Sequence, residues 1–286
     1  MKKILITGKN SYIGKQFESW VLNNKYEYQI DFVSLRDQNW RKDDWSKYDI
    51  VIHLAAIVHL KESKDSEKIY DKINKVLTID VAEKAKNEKV NHFIFMSSMS
   101  VYGSKNEKIS IETLPIPETN YGRSKLNAEK SLEKLKTKEF LVSIIRPPMI
   151  YGENCEGNFN SLLGFSNICS FFLKINNKRS MIYIHNLSEY LKMVIDYEIG
   201  GIHCPQNLKY VSTYKMISQI RLYYNKKTFL FPINKKVISF LLKPKILQKI
   251  FGDLYYDNSN DKISREEYNI YNFEDSIKIT LKRGRK

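Results

Sequence analysis

The residue types best suited to chemistry in this sequence are the phenol and the amine of the run Tyr121-Gly122-Arg123-Ser124-Lys125. In a helix, Tyr121 and Lys125 fall one turn apart on the same face. An ammonium held close to a phenol favours the phenolate, so the spacing predicts a tyrosine pKa below its ordinary value of about 10. Such a group carries protons near neutral pH, which hydride exchange at a hydroxyl-bearing carbon requires. The pair alone is weakly specific, because tyrosine and lysine are abundant and any exposed helix face pairs them by chance. Its weight comes from the other runs along the chain.

Those runs belong to elements that must position the pair. Lys3–Thr7 reads as a strand, followed by Gly8-Lys9-Asn10-Ser11-Tyr12-Ile13-Gly14 and a helical pattern to about Leu22. Strand, glycine turn and helix together suit a dinucleotide pyrophosphate at a helix N-terminus, with Ser11 where the fingerprint wants its middle glycine. Ile30–Leu35 reads as a second strand, ending in Ser34-Leu35-Arg36-Asp37. Arg36 suits a 2′-phosphate, hence NADP, and Asp37 suits a free ribose, hence NAD; two solvated loop charges are the plain alternative. Asp43-Asp44-Trp45 precedes a third strand, Asp49–Leu54, which runs into His53-Leu54-Ala55-Ala56, small enough to admit a cofactor near the backbone. Glu67–Lys89 reads as an amphipathic helix through Ile73, Leu77 and Val81, with Asn74 either solvent-exposed or functional. His92–Met96 reads as a fourth strand entering Ser97-Ser98-Met99-Ser100-Val101-Tyr102-Gly103, where open α/β sheets place their ligands. Pro115 and Pro117 follow, then Thr119 or Asn120 as N-cap of the Tyr121 helix. Phe140–Ile145 reads as a fifth strand, stopped by Arg146-Pro147-Pro148-Met149-Ile150-Tyr151-Gly152.

This alternation predicts an α/β fold: a Rossmann-type doubly wound parallel sheet over 1–152, regaining a strand and helix from about 181–197, with a smaller C-terminal substrate-binding lobe over 153–286. Short strands are expected around Ser180–Ile184 and Lys209–Val211. The basic amphipathic run Asn234–Phe251 either packs on the lobe or lies on a membrane. The last six residues, Leu281–Lys286, read as a disordered basic tail. The apolar windows Phe159–Ile175 and Val237–Leu242 are interrupted or short of the ~20 residues a span needs. Cys155, Cys169 and Cys204 show neither metal nor disulfide spacing, so no metal site is expected and a reducing, cytoplasmic setting is. The formal net charge of +15 is carried by scattered lysines, with no motif for nucleic acid and no basic stripe with interleaved aromatics.

The ordered set Gly8…Gly14, His53–Ala56, Ser97–Gly103, Tyr121…Lys125 and Arg146–Gly152 resembles the extended short-chain dehydrogenase/reductases of the NAD-dependent epimerase/dehydratase family. The wording around Gly157-Asn158-Phe159, Arg179-Ser180-Met181 and Pro205-Gln206-Asn207 is similar to the bacterial UDP-glucose 4-epimerase-like subgroup. The resemblance implies Ser98, Tyr121 and Lys125 as catalytic residues, with Lys125 also holding the nicotinamide ribose. It implies NAD or NADP held by Gly8, Ser11, Tyr12, Ile13, Gly14, Arg36, Asp44, Trp45, Leu54, Ala55, Ala56, Asn74 and Pro148. It implies a UDP-sugar held by Ser98, Ser100, Tyr121, Asn158 and Arg179, and a homodimer through the helices of Asn74 and Tyr121. His185 stands where relatives carry an acidic residue and receives no role. The implied activity is inversion at carbon 4 through a 4-keto sugar in bacterial surface-polysaccharide synthesis. A 4-keto-6-deoxy-hexosamine reductase is the nearest rival and a non-catalytic cofactor-binding sensor or scaffold the other. A dehydratase fits less well, because Met99-Ser100 follows Ser98 where those relatives place a carboxylate pair.

Overall fold

A computed structural model of the chain describes every residue except 59, 106, 156, 234–236, 238–247, 249–250 and 284–286, and the side chains of 158 and 283. The basic run Asn234–Phe251 therefore falls largely outside the described residues, as do 284–286 of the expected tail, whereas Leu281–Arg283 is not disordered but ends the last helix, with Leu281 buried. The chain divides into two units. The first holds Met1–Gly103, Leu114–Pro147 and Ser188–Pro205; the second holds Ser104–Thr113, Pro148–Leu187 and Gln206–Lys286.

In the first unit, four-to-six-residue apolar runs become strands and the 3.6-period runs between them become helices. β1 (Lys2–Thr7), α1 (Tyr12–Asn23), β2 (Tyr28–Val33) and β3 (Ile50–His53) come first. α2 (Lys64–Tyr70), a π-helical turn (Asp71–Val76) and α3 (Leu77–Asn87) then form one continuous helix, entered through a capping box at Ser63 and Ser66. β4 (His92–Met96) follows. After β5 (Lys108–Ile109), which belongs to the second unit, come α4 (Asn120–Leu135) and β6 (Leu141–Ile145). β3 and β4 are buried along their whole lengths, as parallel strands covered on both faces must be.

β10 (Gly201–His203) completes a six-stranded sheet of order β10-β6-β4-β3-β1-β2, parallel at every pairing. The order reverses between β1 and β3, and open α/β sheets bind ligands at the C-terminal ends flanking such a reversal. Alternate strand positions Leu5, Val51, Phe93, Phe95, Val142 and Ile144 meet Val81, Ala82 and Ala85 of α3 and Ala128 and Leu132 of α4 in one buried cluster. On α1, Trp20 donates to Glu189 at 2.9 Å, in the part of α6 (Ile184–Asp196) that belongs to this unit.

The second unit pairs β7 (Met149–Tyr151) with β9 (Met181–Tyr183), β8 (Phe171–Lys174) with β11 (Phe229–Pro232), and β5 with β12 (Tyr255–Tyr256), all parallel. Around them lie α5 (Asn158–Ile168), α7 (Thr213–Tyr223) and a last helix, Phe273–Arg283. Two strand expectations need correcting. Lys209–Val211 is not a strand: Val211 N–H donates to the Arg179 carbonyl at 3.1 Å in an isolated contact. The strand expected to rejoin the sheet from about 181–197 does not do so: Met181–Tyr183 pairs with β7 in the second unit, and the sixth sheet strand is Gly201–His203, whose three residues are too short to show a period.

Candidate active site

The glycine turn joins β1 to α1. Gly8 adopts φ +90°, which L side chains rarely tolerate, and a Cβ on it would stand 3.1 Å from the Ala55 nitrogen. A Cβ on Gly14 would press on Ile6, Phe32 and Leu54. The turn after β1 and the small residues after β3 thus lie against each other because neither carries bulk. Ser11 needs no left-handed backbone, with φ −62° and ψ 127°, and its hydroxyl caps α1 by accepting from Gly14 N–H at 3.3 Å. The backbone here thus accepts serine without strain. The first turn of a helix leaves N–H groups without intrahelical acceptors, so the residues fit a dinucleotide diphosphate.

Behind this turn, His53 is a buried tie between elements. Its ring nitrogens meet Thr7 Oγ1 at 2.8 Å and Thr78 Oγ1 at 3.0 Å, and burial pushes its pKa down to about 3, keeping it neutral. Asn74, in the π-helical turn, is fully buried rather than solvated. Its amide accepts from Ile57 N–H at 2.8 Å and donates to the Ile57 carbonyl at 3.0 Å and to Ser124 Oγ at 3.2 Å. Ser124 in turn donates to the Tyr121 carbonyl at 2.8 Å. One side chain therefore fixes the loop after β3 to the helix of Tyr121, and a π-turn is a common device for placing such a residue.

Ser98, Tyr121 and Lys125 converge at the C-terminal end of β4. Ser98 caps the single 3₁₀ turn Met99–Tyr102, accepting from Ser100 N–H at 3.1 Å. Thr119 caps α4 by accepting from Gly122 N–H at 3.0 Å. α4 reaches the Ser98 turn because residue 122 is glycine: a Cβ there would lie 2.6 Å from the Ser100 carbonyl oxygen. Tyr121 is half-buried, its ring 5.9 Å from that of Tyr70. Burial pushes the phenol up to about 12, with a hydrogen bond from Ser98 favouring the phenolate and partly opposing the rise. This corrects the expected depression. Lys125 Nζ stands 6.0 Å from the Tyr121 ring centroid, but it donates to the Met96 carbonyl at 2.8 Å and lies 4.6 Å from the Phe95 ring. Lys125 is itself buried, and desolvation brings its pKa down to about 7 against the pull of Glu129. Ser100 Oγ is buried without a hydrogen-bond partner among the described residues, a donor left for a ligand.

The sequence reading missed what lies one turn beyond Lys125. Glu129 is buried and accepts from Arg146 Nε at 3.1 Å and Nη2 at 2.5 Å, and from Ser97 Oγ. Arg146 Nη1 donates to the Tyr102 hydroxyl at 2.6 Å. Charge-assisted, bidentate and satisfied at both ends, this pair rivets β4, α4 and β6 together under the lysine. The signal was there: Tyr121, Lys125 and Glu129 recur every four residues on one helix face.

The remaining cofactor candidates divide. Asp37 accepts from Asn39 N–H at 2.9 Å and so closes its own turn, while Arg36 stays exposed after β2. The Asp44 carboxylate accepts from Ser46 N–H at 2.9 Å and from its hydroxyl at 2.6 Å, which holds its pKa low. Trp45 is a core residue, its indole 5.8 Å from that of Trp40. In the second unit, Pro148 precedes β7, Asn158 opens α5 with its side chain outside the described residues, and Arg179 Nη1 donates to the Gly252 carbonyl at 3.0 Å. His185 gains a partner there: Nε2 lies 3.2 Å from Glu153 Oε1, both side chains being buried. Asn207 holds the start of Tyr183 and the Tyr151 hydroxyl, at 3.1 and 2.9 Å.

The model of the NAD dependent epimerase/dehydratase family matches residues 4–191. A UDP-glucose 4-epimerase of Vibrio cholerae is 28% identical over 91% of this chain and 89% of its own length. An N-acetyl-alpha-D-glucosaminyl-diphospho-ditrans,octacis-undecaprenol 4-epimerase of Escherichia coli O157:H7 is 31% identical over 66% of this chain and 62% of its own. The solved UDP-N-acetylglucosamine 4-epimerase of Bacillus cereus superposes with a TM-score of 0.76 over 99% of both chains, at 19% identity, a likeness of fold.

Proposed function

The chain belongs to the NAD dependent epimerase/dehydratase family, and on that premise we propose that it inverts carbon 4 of a UDP-hexose or UDP-N-acetylhexosamine through a transient 4-keto sugar, in surface-polysaccharide synthesis. The observation that carries the reading is the convergence of Ser98, Tyr121 and Lys125 at the sheet end that also holds the glycine turn. A bound nicotinamide cofactor supplies the hydride acceptor and donor, and in its oxidised form a positive charge. The protein's part is to orient the sugar and move one proton. The Tyr121 phenolate oxygen takes the proton of the 4-hydroxyl and returns it once the centre has been reset. Ser98 Oγ shares that proton's hydrogen bond. Burial raises the phenol to about 12, so its anion depends on what opposes that rise: the Ser98 hydrogen bond and the positive charges that would stand beside it. The Lys125 ammonium, anchored on the Met96 carbonyl, favours the anionic phenol. Ser100 is the candidate to accept or donate to the sugar.

Replacing Tyr121 by Phe removes the proton carrier. Turnover is expected to fall by about 10²–10⁴-fold while nucleotide cofactor binding is retained. Inversion is read by NMR at carbon 4 with UDP-glucose and UDP-N-acetylglucosamine, and near-normal turnover in that variant refutes the assignment. One observation favours a 4-keto sugar reductase: Arg36 stays exposed at the end of β2, a suitable partner for a 2′-phosphate, whereas Asp37 is spent on its own turn. Identifying the co-purifying nucleotide separates the readings, NADP favouring the reductase and NAD the epimerase. A homodimer belongs to the same reading, supported by Ile69 and Val76, each 44% exposed on the helix that holds Asn74.

A further inference from the structure

The second unit carries an apolar face that its own fold leaves open. In β8 and β11 the register sets Phe171 opposite Phe229 and Leu173 opposite Phe231, so these four side chains share one face of the two-stranded ribbon. The Phe171 ring lies 5.1 Å from that of Phe229 and 5.9 Å from that of Phe231. Phe171, Phe229 and Phe231 are nevertheless 59%, 49% and 52% exposed, and Ile168, at the end of α5 just before the ribbon, is 88% exposed. The inward face is ordinary: Phe172 is buried and meets Phe165 edge-on at 5.5 Å. A ribbon that turns its aromatic side outward leaves unburied the apolar area that normally stabilises such an element.

The stretches of sequence that contain the ribbon carry charge of one sign. Residues 157–188 contain three Lys and Arg and no Asp or Glu; residues 199–252 contain ten and again no Asp or Glu. Most of the chain's surplus of +15 thus arises in the stretches that contain the ribbon, through missing acids rather than through a block of lysines. Lys174 ends β8, and Lys226 and Lys227 lead into β11, all three exposed. Lys226 Nζ reaches Asn167 Oδ1 at 3.0 Å, which sets it beside Ile168. No helix among the described residues is long and apolar enough to cross a membrane.

We propose that the β8–β11 ribbon docks on an anionic lipid surface, its phenylalanines entering the headgroup boundary and Lys226 and Lys227, which lead into β11, pairing with lipid phosphates. Aromatic side chains flanked by lysines are the composition that binds such an interface without spanning it. Nothing in the proposal depends on the reaction, so it stands or falls separately.

The test is co-flotation of the full chain with vesicles of phosphatidylcholine, with and without about 30 mol% phosphatidylglycerol. The wild type is expected to float with the anionic vesicles at low salt, at least about tenfold less with the neutral ones, and to be released at about 0.5 M NaCl. Phe171→Ser/Phe229→Ser and, separately, Lys226→Glu/Lys227→Glu are each expected to weaken anionic binding at least about tenfold. Circular dichroism melting and solution oligomeric state should stay as in the wild type. The charge variant, wholly on exposed side chains, keeps the test decisive if the phenylalanine variant misfolds. Absence of flotation by the wild type at low salt, or flotation unchanged by the charge variant, overturns the proposal. So does a change of oligomeric state in the phenylalanine variant, which would make a second copy the occupant.

Discussion

Replacing Lys125 by Met should make the protein inactive and, at neutral pH, more stable. Lys125 is 2% exposed, and burial brings its pKa from 10.5 to about 7. Between those values the unfolded chain binds a proton that the folded chain releases, so this group's contribution to stability rises with pH across that window and is flat outside it. A tenfold change in ionisation is about 1.4 kcal/mol, so the lysine opposes folding by on the order of 4 kcal/mol at pH 7 and about 2 kcal/mol at pH 9. Methionine fills a similar volume without an ion to desolvate. It also abandons the hydrogen bond to the Met96 carbonyl, 2.8 Å long in the wild type, which costs about 1–3 kcal/mol. The variant should therefore be more stable than wild type by about 1–3 kcal/mol at pH 7, a gain of several degrees in Tm, and should lose that advantage by pH 9. Urea unfolding of both proteins from pH 6.5 to 9 measures it. A variant that is less stable at pH 7, by an amount that does not change up to pH 9, would refute the claim that a desolvated ammonium sits beside Tyr121.

Gly122→Ala places a Cβ 2.6 Å from the Ser100 carbonyl and must move α4 off the Ser98 turn; kcat should drop about a hundredfold with cofactor affinity little changed, as steady-state kinetics and cofactor titration will show. Asn74→Ala strands both polar groups of Ile57, so stability should fall by about 1–3 kcal/mol and the cofactor Kd should rise, the two read by urea titration and fluorescence. Glu129→Gln breaks the buried pair with Arg146 and removes the charge that raises the Lys125 pKa. Stability should fall by about 3–5 kcal/mol and the alkaline limb of kcat/KM should move to lower pH, whereas a profile unchanged from wild type would detach Glu129 from the lysine.

What the sequence revealed was whatever is local along the chain. The Gly8 turn, the Thr119 cap and the Tyr121–Lys125 spacing each sit within seven residues, and the structure places each on the expected kind of element. Spacing gives proximity but not dielectric, which is why the phenol's acidity came out in the wrong direction. Desolvation outweighed a lysine whose nearest acceptor is a backbone carbonyl. The Ser97–Glu129–Arg146–Tyr102 network stayed hidden because its members come from three elements, with only the four-residue recurrence on α4 hinting at it. Asn74 looked like a helix residue with two readings, and only tertiary burial chose between them.

The π-helical turn at Asp71–Val76 has an evolutionary implication. A wide turn of this type is equivalent to one amino acid slipped into an α-helix, which rotates everything downstream by about 100°. Asn74, the buried residue of that turn, meets both backbone polar groups of Ile57 from within it. A single-codon deletion within the segment would straighten the helix and change the angle at which Asn74 meets Ile57 relative to the buried face of α3. Length in this segment should therefore tolerate far less drift than its polar, lysine-rich composition suggests.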